Sequence, residues 1–377
     1  MSERLTAIGL MSGTSLDGID AAILTTDGEE IVEAGPAIHL PYNRDLKIWT
    51  RRAIKAALEG RDGAAEIGKA AGEITQAHVE AVESLLEKAG LKRTDIDVVG
   101  FHGQTILHRR AQGSECMGRS WQIGDGEVLA RETKIDVVAD FRAADIAAGG
   151  EGAPFSPIYH RALVAALEDP PDCAVGVINI GGVANITFVP KGARGIDLIA
   201  FDCGPGNGLL DEWVALKTGE AMDKDGALAR AGGVHTDILR MMLLAPYLRR
   251  KPPKSLDRYD FKLDSILRLT PEDGAATLTA FTAACIRHSE KFLPELPGEW
   301  IICGGGRNNP ALMAALKEAL EAPVLAAEEM NWRGDDLEAE CFAYLAVRSL
   351  KKLPLSYPNT TRVTAPKCGG VYYRAPV

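Results

Sequence analysis

The stretch Ile8-Gly9-Leu10-Met11-Ser12-Gly13-Thr14-Ser15-Leu16-Asp17-Gly18-Ile19-Asp20-Ala21-Ala22-Ile23-Leu24 decides how the chain is read. Ile8 and Leu10 flank Gly9 in an alternating pattern, and Ala21 to Leu24 is a short apolar run, so each end reads as a strand. Between them Ser12, Gly13, Thr14, Ser15, Asp17 and Gly18 have the composition of a tight turn. Glycines let backbone N–H groups approach a ligand closely, and successive N–H groups beside hydroxyls form a cup for an anion. The turn therefore reads as a phosphate cradle. Taken alone, it reads better as an ordinary hairpin tip.

Working outward, the same grammar returns. Glu30 to Leu40 reads as a third strand that closes a meander. Helical patterns follow over Tyr42–Glu59 and Ala64–Ala89, the second ended by Gly90. Asp97 to Phe101 is a buried strand running into His102-Gly103-Gln104-Thr105. Ile135 to Phe141 leads to Arg142. In open α/β sheets, polar residues at the carboxyl ends of strands mark the ligand crevice. Beyond the flexible Gly149-Gly150-Glu151-Gly152-Ala153-Pro154 joint, Val175 to Val189 is again an apolar run, a Gly181-Gly182 turn and a β-branched run. A third strand, Leu198 to Phe201, enters Asp202-Cys203-Gly204-Pro205-Gly206-Asn207. Glu299 to Cys303 is a strand ending in Gly304-Gly305-Gly306, which opens a helix to Leu320. Each half thus begins with a meander of the same kind. The expected division is 1–145 for a first lobe, with the tail 367–377 returning to it, and 146–366 for a second. The helix Leu337–Lys351 falls in the second.

The composition narrows the function classes. A chain of 377 residues exceeds one ordinary core. A net charge of -10 argues against a nucleic-acid binder held by phosphate contacts. The seven cysteines (Cys116, Cys173, Cys203, Cys285, Cys303, Cys341 and Cys368) are scattered without a Cys-x-x-Cys pair, which suggests neither a zinc site nor a disulfide framework. No signal-peptide pattern and no membrane-length apolar run is evident, so a cytoplasmic location is expected.

Three glycine-rich turns in this order resemble the actin, hexokinase and Hsp70 superfamily. That resemblance implies an α/β, two-lobed, ribonuclease H-like fold, with mixed sheets flanked by helices and a central nucleotide cleft. The superfamily usually carries an Asp where this chain has Met11, and often one where it has Asn179. Gly9 to Asp20, His102 to Thr105, Val137 to Arg142, Asn179 to Gly182, Phe201 to Asn207 and Cys303 to Gly306 together resemble the anhydro-N-acetylmuramic acid kinases more closely. The resemblance covers nearly the whole chain. It departs at Pro253-Lys254-Ser255-Leu256-Asp257-Arg258, where the family tends to carry Pro-Lys-Ser-Thr-Gly-Arg.

What the resemblance implies is ATP-dependent opening of a 1,6-anhydro sugar ring with phosphorylation of the released O6. ATP would lie on Gly13, Thr14, Ser15, Leu16, Asp17, Gly18, Ile19, Asp20, Gly181, Gly182, Gly304, Gly305 and Gly306, with Mg²⁺ on the nucleotide. Asp202 would be the base; the sugar would meet His102, Gly103, Gln104, Thr105, Asp140, Arg142 and Glu338. A homodimer is a family tendency. Read as residues alone, Asp202 is also a turn or helix cap. Arg142 is also the partner of Asp140 or Asp145. Lys251, Lys254 and Arg258 read as a solvated basic loop. A kinase of another sugar and a nucleotide-gated binding module are the competing readings.

Overall fold

The computed structural model describes residues 3–13, 15–109, 118–256 and 261–376. Thr14, Cys116, Asp257 and Arg258 lie outside the described residues. The chain divides into two compact units, Met1–Ala166 with Asp336–Val377, and Leu167–Asp335. In chain order the first unit contains β1 (Leu5–Ser12), β2 (Gly18–Thr26), β3 (Val32–Pro41), α1 (Arg44–Leu58), α2 (Ala65–Ala89), β4 (Val98–Arg109), β5 (Arg119–Ile123), α3 (Gly126–Thr133), β6 (Val137–Ala139), α4 (Ala143–Ala147) and α5 (Pro157–Ala165). The second contains β7 (Val175–Ile180), β8 (Val183–Val189), β9 (Ile199–Pro205), α6 (Asn207–Thr218), α7 (Ala227–Ala231), α8 (Thr236–Met242), α9 (Pro271–Ser289), β10 (Glu299–Cys303), α10 (Pro310–Ala319) and β11 (Val324–Ala326). The chain then returns to the first unit as α11 (Leu337–Leu350), α12 (Pro358–Thr361) and β12 (Val371–Tyr373).

The two sheets share one wiring. In the first, the order is β12-β6-β4-β1-β2-β3, with β5 paired to β4. In the second it is β11-β10-β7-β8-β9. In each, three strands form an antiparallel meander, and the first of them pairs in parallel with a later strand. That strand pairs in parallel with another. This is the ribonuclease H-like order, built twice. The repeat expected from the meanders is thus present in the topology.

In the first unit Ile8 and Leu10 of β1 face a core with Leu46 and Ala53 of α1 and Ile74, Val82 and Leu85 of α2. The opposite face carries α11. There Ala22, Gly9 and Gly100 are register partners on β2, β1 and β4, making a groove of small residues. A Cβ on Gly9 would stand 1.8 Å from the Ala339 carbonyl oxygen, and one on Gly100 2.1 Å from that of Phe342. The helix backbone lies against the sheet itself, which only glycine permits. That is why α11 belongs to the first unit rather than the second. The division expected at residues 145/146 and 366/367 moves to 166/167 and 335/336. The second unit packs Ile178, Ile180, Ile186 and Ile302 against Ala283 and Ile286 of α9 and Leu312 and Leu316 of α10.

Two fully buried histidines of the first unit give a pH dependence. Burial pushes His78 down to about 4, and His160 likewise to about 4. Unfolded histidines take up protons near pH 6.5. The unfolded chain therefore binds more protons below that value, and stability is lost as pH falls from 6.5 towards 4. Asp211 in the second unit, raised by burial to about 6, opposes this with one proton. The expected result is a lower urea midpoint at pH 5 than at pH 7. An unchanged or higher midpoint would show that these histidines are not held neutral.

Candidate active site

The first turn is built by its neighbours. Leu16 adopts a left-handed backbone (φ 58°). The Ser15 hydroxyl donates to the Asp17 carboxylate at 2.6 Å, which also accepts from Gly18 N–H at 3.0 Å. Gln104, fully buried, donates from its amide to the Gly13 carbonyl at 3.1 Å and accepts from the Tyr42 hydroxyl at 3.1 Å. Ser12 donates to the Gly103 carbonyl at 3.0 Å. His102 to Thr105 therefore shore up the turn from the adjacent strand. They lie within β4, which continues to Arg109 because β5 pairs with it. The sequence suggested a strand that stops at Phe101.

Asp20 on β2 is the register partner of Met11, the position where the superfamily usually has its Asp. It accepts from His39 Nδ1 at 2.7 Å. Burial raises its pKa despite that bond, with Asp17 and Asp336 adding to the rise.

His102 and Arg142 form a second cluster. His102 Nδ1 stands 2.7 Å from the Gly103 carbonyl, and its Nε2 stands 3.1 Å from Arg142 Nη2. A carbonyl only accepts and a guanidinium only donates, so the imidazole is neutral with its proton on Nδ1. Burial holds its pKa well below the usual value, and the Arg142 charge lowers it further. Arg142 also donates to the Gly152 carbonyl at 2.6 Å. Burial lowers the Arg142 pKa; Glu338, Cys341 and Asp145 work the other way. Asp145 is engaged by Gly152 N–H at 2.8 Å and by the hydroxyls of Ser356 and Thr361. Among the described residues the hydrogen bonds of Arg142 thus run to His102 and Gly152, not to Asp140 or Asp145. Asp140 has a left-handed backbone (φ 52°) and a carboxyl raised by burial. Thr105 accepts from the Gln122 amide at 3.0 Å.

In the second unit the remaining glycine turns come together. The Gly181 and Gly182 carbonyls accept from Asn207 N–H at 2.7 Å and from Gly206 N–H at 3.0 Å, which locks the turn onto the start of α6. Gly304 (φ 73°) closes over the end of β7: a Cβ there would stand 2.3 Å from Asn179 Oδ1. The Gly306 Cβ position is 2.4 Å from the Ile180 side chain. Gly181-Gly182, Gly206 to Gly208 and Gly304 to Gly306 are therefore one layered cap at the carboxyl end of β7. Arg307 fixes the third turn, donating to the Gly304 carbonyl at 2.9 Å and pairing with Glu328 at 2.8 Å and Asp335 at 2.9 Å.

Asp202 lies inside β9, not after it. The β8–β9 register slips between Ala184 and Asn185, so that Cys203 is the extra residue and Asp202 faces Asn185. A bulge of this kind re-aims one side chain. Asn179, Asn185 and Asp202 are register partners across three neighbouring strands. They form a half-buried polar row in strands that are otherwise mostly buried. Asn185 Oδ1 has no hydrogen-bond partner among the described residues. Asp202 Oδ2 accepts from Leu256 N–H at 2.7 Å.

A model of the family described as anhydro-N-acetylmuramic acid kinase matches residues 5–375. The chain belongs to the anhydro-N-acetylmuramic acid kinase family. Among curated relatives, a protein of that name from Nitrobacter winogradskyi is 48% identical over 98% of this chain and 100% of its own length. One from Agrobacterium fabrum is 46% identical over 100% of both. One from Paramagnetospirillum magneticum is 45% identical over 97% of this chain and 99% of its own.

Sequence reasoning about this family member missed two residues. Asn185 carries a weak signal, an Asn breaking a β-branched run. Lys254 was expected in solvent, yet it is 3% exposed. Lys251 is exposed as expected. Among the described residues no helix is long and apolar enough to cross a membrane.

Proposed function

We propose that this chain uses ATP to open the 1,6-anhydro ring of anhydro-N-acetylmuramic acid with water and to phosphorylate O6, giving the 6-phosphate. Family membership over residues 5–375 carries this reading. Asp202 takes a proton from water as the water oxygen attacks the anomeric carbon, and the bond from that carbon to O6 breaks. The electron pair left on O6 attacks the γ-phosphorus, and ADP leaves. Phosphoryl transfer of this type asks mainly for positioning and charge neutralisation.

Gly13 to Asp20, Gly181-Gly182 and Gly304 to Gly306 are assigned to ATP. Gly304 has no room for a side chain, because a Cβ there would meet Asn179 and the Ile180 backbone at the end of β7. Magnesium on the nucleotide would neutralise phosphate charge. Asp17 and Asp20 supply the oxygen donors it favours and would hold its waters. Asp20, beside Met11, stands in for the carboxylate missing from β1. Arg142 offers a guanidinium suited to the lactyl carboxylate of the sugar, because neutral His102 orients it without consuming its charge. His102 to Thr105, Asp140 and Glu338 complete the sugar side. A cytoplasmic location suits a recycling enzyme of cell-wall sugars.

The experiment is a substrate panel with ATP and Mg²⁺. Turnover with the anhydro-sugar is expected to exceed that with any reducing hexose. A reducing hexose turned over faster would replace this substrate with another.

A further inference from the structure

Lys254 has an environment that its neighbours in the chain do not explain. Its ammonium lies 4.7 Å from the centre of the Tyr247 ring, 4.8 Å from that of Phe292 and 5.6 Å from that of Phe201. Among the described residues its hydrogen bond runs to the Tyr247 carbonyl at 3.4 Å. No carboxylate among the described residues pairs with it; burying an ammonium in that way is costly, and aromatic faces recover only part of that cost. Burial lowers its pKa to about 8, against the pull of Cys203 and Cys285; Lys291 and Arg250 lower it further. A methionine or leucine would fill such a cage more cheaply.

The backbone around this lysine converges on Asp202. Asp202 N–H donates to the Lys254 carbonyl at 3.0 Å. Leu256 N–H donates to Asp202 Oδ2 at 2.7 Å. The Tyr247 hydroxyl donates to the Asp202 carbonyl at 2.8 Å. The segment from Tyr247 to Leu256 is thus a strap along the free side of β9, tied at three points to the one residue that the bulge re-aims. The ammonium is the pin: it joins the strap (Tyr247) to β9 (Phe201) and to the segment after α9 (Phe292).

We propose that Lys254 is a positioning residue for Asp202, its caged ammonium fixing the Tyr247–Leu256 strap that sets the direction of the Asp202 carboxylate. This rests on Asp202 being the base. The structural half stands or falls separately, on the exchange of two backbone amides.

The test uses the full-length chain with Lys254→Met, Lys254→Arg and Tyr247→Phe. Methionine has a similar length and fills an aromatic cage without charge, so Lys254→Met is expected to fold. Its kcat is expected to fall at least tenfold, with KM for ATP and for the anhydro-sugar within about twofold. Lys254→Arg keeps a cation over the rings and is expected to recover part of that loss. Tyr247→Phe, which loses one tie, is expected to fall several-fold. Hydrogen exchange at the Asp202 and Leu256 amides is expected to accelerate in Lys254→Met while α9 keeps its protection. A Lys254→Met protein with parental kcat, or with unchanged exchange at both amides, overturns the proposal. So does loss of protection throughout the second unit, which would make the lysine merely structural. If exchange responds but Asp202→Asn retains turnover, the base assignment has failed, and with it the catalytic meaning of the strap.

Discussion

Replacing Asp202 with asparagine is expected to lower kcat by about a thousandfold while ATP binding stays within about twofold. The size follows from general-base catalysis, which contributes on the order of 10²–10⁴ in rate. Asparagine preserves the shape at the bulge and still offers an oxygen to Leu256 N–H, so the strap and the sheet register stay as they are. On the proposed mechanism, what it removes is the ability to take a proton from water. Binding measured by calorimetry with a non-hydrolysable ATP analogue, beside steady-state turnover, separates the two effects. Retained turnover would place the base elsewhere.

The second large effect concerns the fold. Gly9→Val is expected to destabilise the first unit by at least about 4 kcal/mol, enough to consume much of a typical domain's stability. The reason is geometric. The position of the new Cβ is occupied by the Ala339 carbonyl oxygen and lies 2.5 Å from the Ala343 nitrogen. Both are helix backbone, which cannot rotate aside as a side chain can. Either α11 lifts from β1, β2 and β4, exposing Ala343 and Ala346, or β1 shifts and carries the Gly13 turn with it. Gly72 is a suitable control, since nothing lies within 4 Å of a Cβ placed there. Gly72→Ala should leave the urea midpoint unchanged or raise it, because alanine favours helix α2. Similar midpoints for the two variants would refute the close helix–sheet contact.

Much of the fold was legible because its signals are local. The strand–turn–strand at Ile8 to Leu24, the helix closed by Gly90 and the second meander at Val175 to Val189 each declare themselves within a single short stretch of chain. The features that escaped depend on partners distant in sequence. The strand through His102 to Arg109 looks too polar to continue; pairing with β5 extends it. The place of α11 depends on Gly9 and Gly100 standing side by side, over 230 residues before the helix they receive. Lys254 sits among Lys251 and two prolines, which reads as solvent. Its cage comes from Phe201, Tyr247 and Phe292, and no window of sequence contains all three. The proposed site divides in the same way. Its glycine turns and Asp202 are visible as motifs. The bulge that turns Asp202 beside Asn185 and the imidazole that holds Arg142 are products of register and packing.

Mass spectrometry of a single-turnover reaction with ATP, Mg²⁺ and anhydro-N-acetylmuramic acid bears most directly on the coupled chemistry. The sugar should gain one water and one phosphoryl group together, with one ADP formed per product. A sugar that gains the phosphoryl group without water, or ADP formed with no phosphorylated sugar, would contradict it.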